Sequence, residues 1–139
     1  MSYATVAELQ AVIGEPRLLQ LTDLADPPVG LVHEPTAQRA LDDASAEIDG
    51  YLVGRYALPL VAPVPDILRV HCCTLAHFRL LGDRAEEVMR ETVKGVRAYL
   101  QSVAEGKVGL YPPSQAQPQA GIGGAIFSPG TKVMGRETA

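Results

Sequence analysis

The chain has 139 residues, 47% hydrophobic and 20% charged, with a net charge of −4. That length and balance suit one folded domain and exclude a disordered chain. With two cysteines, no basic-plus-apolar leader at Met1-Ser2-Tyr3-Ala4-Thr5 and no apolar run of bilayer length, it is read as a soluble protein made in a cytoplasm, not a secreted disulfide framework or a helical membrane span.

Thr5-Val6-Ala7-Glu8 has the form of a capping box and predicts a short helix ending near Gly14. Pro16 suits the first turn of a second short helix over Arg17-Leu18-Leu19-Gln20-Leu21. Thr22 to Val32, with Asp26-Pro27-Pro28 and Gly30, reads as a loop. The first long helix is expected from about Pro35 to about Arg55. Ala37, Ala40, Leu41, Ala44, Ile48, Tyr51 and Leu52 recur at spacings of three and four and form one stripe. Asp42 and Asp49 fall opposite that stripe, Asp43 and Glu47 on its flank, and Arg55 on the stripe itself, which is anomalous.

Ala57 to Val64 contains Pro59 and Pro63 and should be extended or turn-like. Pro65 opens a second long helix ending near Gly82. Its apolar residues, Ile67, Leu68, Val70, Cys72, Cys73, Leu75, Ala76, Phe78, Leu80 and Leu81, lie nearly all round it, so it should be buried on several sides. Asp83, with Glu86 three residues on, is the expected cap of a third long helix. Its stripe is Val88/Met89, Val93, Val96, Tyr99/Leu100 and Val103, and Gly106 is the expected terminator. The fold class is therefore all-α: a bundle of three long helices plus short N-terminal helices over residues 1–110, followed by a tail over 111–139. Pro112 to Gly121 is a Pro/Gln linker, and Ile122 onward is Gly-rich but keeps Ile126, Phe127, Val133 and Met134 as apolar anchors for an extended C-terminal arm.

Charge is uneven. Residues 1–50 carry nine acids against Arg17 and Arg39, residues 51–110 carry eight bases against six acids, and the tail adds one positive charge. The acidic first half and mildly basic second half either reflect ordinary surface composition or favour head-to-tail packing of identical copies. Arg69, Arg79, Arg84, Arg90, Lys94, Arg97 and Lys107 raise the question of DNA. They are interleaved with Glu86, Glu87, Glu91 and Glu105, as in exposed helix pairing, and not gathered into a basic stripe.

No catalytic constellation emerges. Ser45 and Ser102 have no histidine nearby in sequence, and Gly121-Ile122-Gly123-Gly124 follows no strand, so no enzyme and no cofactor are expected. Cys73 and His77 share a helix face and, with His71 and Cys72, are the metal candidates. They lack a second ligand pair, since His33 is in a loop, and core packing is the expected role. Asp42, Asp43, Glu47 and Asp49 lack the turns and carbonyl ligands of a calcium site.

The order of parts resembles one family, the small head proteins of Mu-like phages and prophages, which look like head-to-tail connector proteins. The resemblance runs from Tyr3-Ala4-Thr5 and Glu8-Leu9 through Gln20-Leu21-Thr22-Asp23 to Gly106-Lys107-Val108. It is strongest over Ala40-Leu41, Ala44-Ser45, Glu47-Ile48-Asp49-Gly50-Tyr51-Leu52, Arg55-Tyr56 and Leu58-Pro59-Leu60. The resemblance implies a structural virion protein at the neck, in a ring, commonly twelve-fold, between the portal protein and a stopper, tail-terminator or tail-tube protein. It also implies arginines that could touch DNA in the channel. Interface candidates are Asp42, Asp49, Arg55, Tyr56, Leu58 and Leu60, with Ile126, Phe127, Val133 and Met134 on an arm laid on a neighbouring ring. Arg55 would meet an acid within the fold or across the ring. The alternatives are a neck stopper or tail terminator, which usually carry substantial β structure, and a small helical regulatory or scaffolding module.

Overall fold

The computed structural model describes residues 2–111. They form five α-helices: α1 (Val6–Ile13), α2 (Glu15–Thr22), α3 (Glu34–Leu52), α4 (Asp66–Leu81) and α5 (Glu87–Ala104). A single 3-10 turn, Gly82–Arg84, joins α4 to α5, and no strand occurs among the described residues. The chain is all-α, with three long and two short helices as expected.

The capping box forms. The Glu8 N–H donates to Thr5 Oγ1 at 3.1 Å, and the Thr5 N–H donates to Glu8 Oε1 at 2.9 Å. Gly14 ends α1 at a φ of 95°. Thr5→Ala leaves the Glu8 backbone N–H without its partner and should cost about 1 kcal/mol, read as a lower urea midpoint at unchanged m-value.

The core is built on α3 and α4, the most extensive helix pair. Ala37, Ala40 and Ala44 on α3 are small and buried and let neighbouring chains come close, while Leu41, Ile48 and Leu52 are fully buried. From α4, Leu68, Cys72, Cys73, Leu75 and Ala76 fill the centre, and α5 closes it with Val93, Val96, Leu100 and Val103. The nearly all-round apolarity of α4 is matched by its neighbours, since α1, α2, α3 and α5 all pack on it. Ile67 and Val70 remain exposed.

Two helix ends differ from expectation. Helix α3 stops at Leu52, not Arg55, because the Leu52 carbonyl accepts from the N–H groups of both Arg55 and Tyr56 (2.9 and 2.8 Å) and closes a turn around Gly54. Arg55 thus lies beyond the helix and not on its stripe. Asp83 does not cap α5. It is absorbed in the 3-10 turn after Gly82 (φ 56°), and Glu86 takes the cap position without a side-chain hydrogen bond. Val88 is therefore first-turn surface, 77% exposed, and Met89 is the residue that packs inward. At the far end of α5, Gly106 (φ 84°) gives its N–H to Val103 O, and the Lys107 N–H reaches Ser102 O at 2.9 Å. This pair of bonds satisfies the last carbonyls of the helix and needs the left-handed backbone that glycine adopts without strain.

Candidate interaction site

The segment with the strongest resemblance proves to be internal scaffolding. Arg55 Nη1 donates to the carbonyls of Val103 (2.9 Å) and Val108 (3.3 Å), and its guanidinium lies 5.4 Å from the centre of the Tyr56 ring. Within the fold, among the described residues, Arg55 meets backbone carbonyls at and just beyond the end of α5 and not an acid. A cation beside the C-terminus of α5 also suits the negative end of the helix dipole. Tyr56 is buried, and its hydroxyl accepts from the Leu110 N–H at 3.1 Å. The Tyr111 ring packs against Tyr56 at 6.2 Å, and its hydroxyl donates to Val61 O. Leu60 is buried and Leu58 packs on the core. Residues 55–60 thus lock the loop after α3 to the loop after α5, and Tyr56 and Leu60 are taken up by the chain's own core.

The acids of α3 separate into distinct roles. Asp49 accepts the Tyr3 hydroxyl, and burial together with this carboxylate pushes the Tyr3 phenol far up. The Tyr3 N–H donates to Ser45 Oγ, which lies 3.3 Å from Cys72 Sγ, so these groups pin the N-terminus to α3 and α4. Glu47 accepts from Arg97 Nε at 2.8 Å and from Arg79 Nη2 at 3.1 Å, joining α3, α4 and α5, with the Arg97 guanidinium over the Phe78 ring. Asp42 is exposed and accepts from Gln38, and Asp43 is exposed.

Burial alone would raise the Glu47 carboxyl, but the hydrogen bonds and charges of Arg97 and Arg79 outweigh it and hold it below the ordinary 4.5. A carboxylate depressed in the folded state adds stability above its unfolded pKa and loses it as pH falls through the folded one. The wild type should therefore lose more stability than Glu47→Gln on acidification from pH 6 through and below the ordinary value. Parallel urea titrations at several pH values measure this, and equal slopes would contradict it.

Cys72 and Cys73 are buried free thiols, with burial pushing Cys73 up to about 11. His71 packs on the Tyr99 ring at 5.0 Å, and burial lowers both His71 and His77. Among the described residues no group of three potential ligands converges on a metal position, and no helix is long and apolar enough to cross a membrane.

The loop after α2 holds large apolar side chains at the surface. Thr22, buried, accepts the His33 N–H at 3.1 Å while its hydroxyl donates to Leu18 O. The Asp23 carboxylate accepts the Val29 and Gly30 N–H groups at 3.0 and 2.7 Å. These bonds give residues 23–33 a defined shape. Yet Leu24, Val29 and Leu31 are 72, 65 and 69% exposed. They border an open cavity of about 610 Å³ between the loop and the start of α3. The prolines and glycine of this stretch mark it as a loop in the sequence. The available signal was three large apolar residues in a segment with no helical or strand period to bury them. The arm residues Ile126, Phe127, Val133 and Met134 lie outside the described residues.

Residues 3–128 match the family described as Bacteriophage Mu, Gp36. The chain is 37% identical over 106 residues to the Mu-like prophage FluMu protein gp36 of Haemophilus influenzae, covering 76% of this chain and 74% of that protein. It is 40% identical over 109 residues to gene product J of Escherichia phage Mu, covering 77% and 74%. The chain belongs to the Bacteriophage Mu Gp36 family.

Proposed function

We propose that this member of the Mu Gp36 family is a structural, non-enzymatic part of the phage particle, an adaptor that assembles as a ring under the portal and joins head to tail. The observation that carries this reading is the shaped loop after α2, which holds three large apolar side chains in water. Exposed apolar surface on a bonded, ordered loop is surface kept for a partner. The partners are neighbouring copies, the portal protein and the first tail-side protein. The tail over 111–139, with Ile126, Phe127, Val133 and Met134, serves as the arm on an adjacent ring. The lack of strands among the described residues favours an adaptor over a stopper or terminator.

Imaging of the assembled particle tests the reading directly. Ring-shaped density of this chain between portal and tail is the expected result, and its location anywhere else ends the proposal. Removal of residues 112–139 should leave a folded helical domain, by circular dichroism, that no longer joins heads to tails. Normal joining would rule out the arm.

A further inference from the structure

A second pocket, of about 220 Å³, opens where α2, the end of α4 and the start of α5 meet. Arg17 from α2, His77 from α4 and Arg84 from the 3-10 turn line it, with Glu86 as its one acid and Leu81, Val88, Met89 and Thr92 completing the wall. Arg84 is steadied by the carbonyls of Leu80 and Leu81 at 3.3 and 3.4 Å. The Arg17 side chain has no hydrogen bond or ion pair among the described residues. His77 Nε2 is buried with no hydrogen-bond partner. Two cations against one acid at the mouth of a pocket make a receptor for an anion.

Helix α3 carries the matching group. Arg79 of α4 reaches α3 through Glu47. His77, two residues earlier, is turned about 200° from it at 100° per residue and faces away from α3. On α3, Leu41, Ala44 and Ser45 are buried toward the core, with Ser45 against Cys72 of α4. Asp42 and Asp43 lie on the exposed side, and the Asp43 carboxylate has no hydrogen bond or ion pair among the described residues. Arg17 and Asp43 form no ion pair within one copy among the described residues, so receptor and anion are free to pair between copies. Paired head to tail, they give the arrangement that generates rings.

We propose that the Arg17–His77–Arg84 pocket receives the Asp42–Asp43 edge of α3 from a second copy of this chain. The contact rests on the ring reading above and supplies it with a named interface. The segregation of charge, nine acids against two bases in residues 1–50 and eight bases against six acids in residues 51–110, favours the same head-to-tail sense.

The test is a charge exchange in the full-length chain. Arg17→Glu and Asp43→Arg both alter exposed side chains, so circular dichroism melting should match the wild type. Each should raise the dissociation constant between copies about tenfold or more, because like charges then face each other across the contact. Mass photometry and light scattering measure it. The double variant R17E/D43R restores opposite charges and should recover assembly, and assembly of the wild type should weaken as salt rises. Singles that assemble normally, or a double that stays dissociated, would overturn the pocket as the contact while leaving the ring intact. A wild type that stays monomeric in the particle would overturn both.

Discussion

Replacing Leu24, Val29 and Leu31 together by serine should leave the fold stable to within about 1 kcal/mol and reduce head-to-tail joining by at least about a hundredfold. Each of the three already faces water, so the folded chain loses little packing. The Asp23 and Thr22 bonds that shape the loop involve none of these side chains. If a partner covers them, each contributes about 1.5–3 kcal/mol of burial there. The loss of all three is then several kcal/mol, and every 1.4 kcal/mol is about tenfold in affinity. The measurement is in vitro complementation of heads and tails prepared without this protein, with melting curves alongside. Wild-type joining by a folded triple variant would show that the loop is idle surface.

The largest effect on stability is expected from Leu41→Ala. Leu41 is fully buried in the α3–α4 core, and its carbonyl lies 3.7 Å from the Cys72 thiol of α4. Truncation removes its burial and opens a cavity that the surrounding helices fill only in part, at a cost of about 2–5 kcal/mol. A domain of this size shifts by roughly 4–8 °C in Tm per kcal/mol, so a fall of at least about 8 °C is expected. Val88→Ala is the control. Its side chain is mostly in water, and it should shift stability by less than about 0.5 kcal/mol. Equal effects of the two changes would contradict the helix register described for α5.

The helices were legible because their apolar spacing and their local punctuation agree. Thr5 and Glu8 sit three apart, and Gly14, Gly82 and Gly106 mark where the backbone turns left-handed. What failed was local competition at ends. Asp83 is a good cap by type, yet the 3-10 turn after Gly82 uses it and moves the start of α5 to Glu87. The stripe that included Val88 then rotated onto Met89.

The candidate site was less legible, for a physical reason. Arg55 and Tyr56 stand out in sequence because they are a charged and an aromatic residue beside a proline-marked segment. The groups that satisfy them are backbone atoms of residues 103–110, which no periodicity announces. Glu47 read as a flank acid, but its partners lie 32 and 50 residues away. Arg17, His77 and Arg84 likewise come together only when α2 docks beside the end of α4. The exposure of Leu24, Val29 and Leu31 became visible only once the Asp23 and Thr22 bonds had held the loop open.

The Tyr111–Val61 and Leu110–Tyr56 bonds have a mechanical consequence. Any tension applied through the chain beyond residue 111 enters the bundle at these two points, beside the Arg55 guanidinium, before it reaches the last turn of α5. Force is thereby handed to the turn after α3 as well as to α5, so several bonds must fail together before the helix can be peeled from its end.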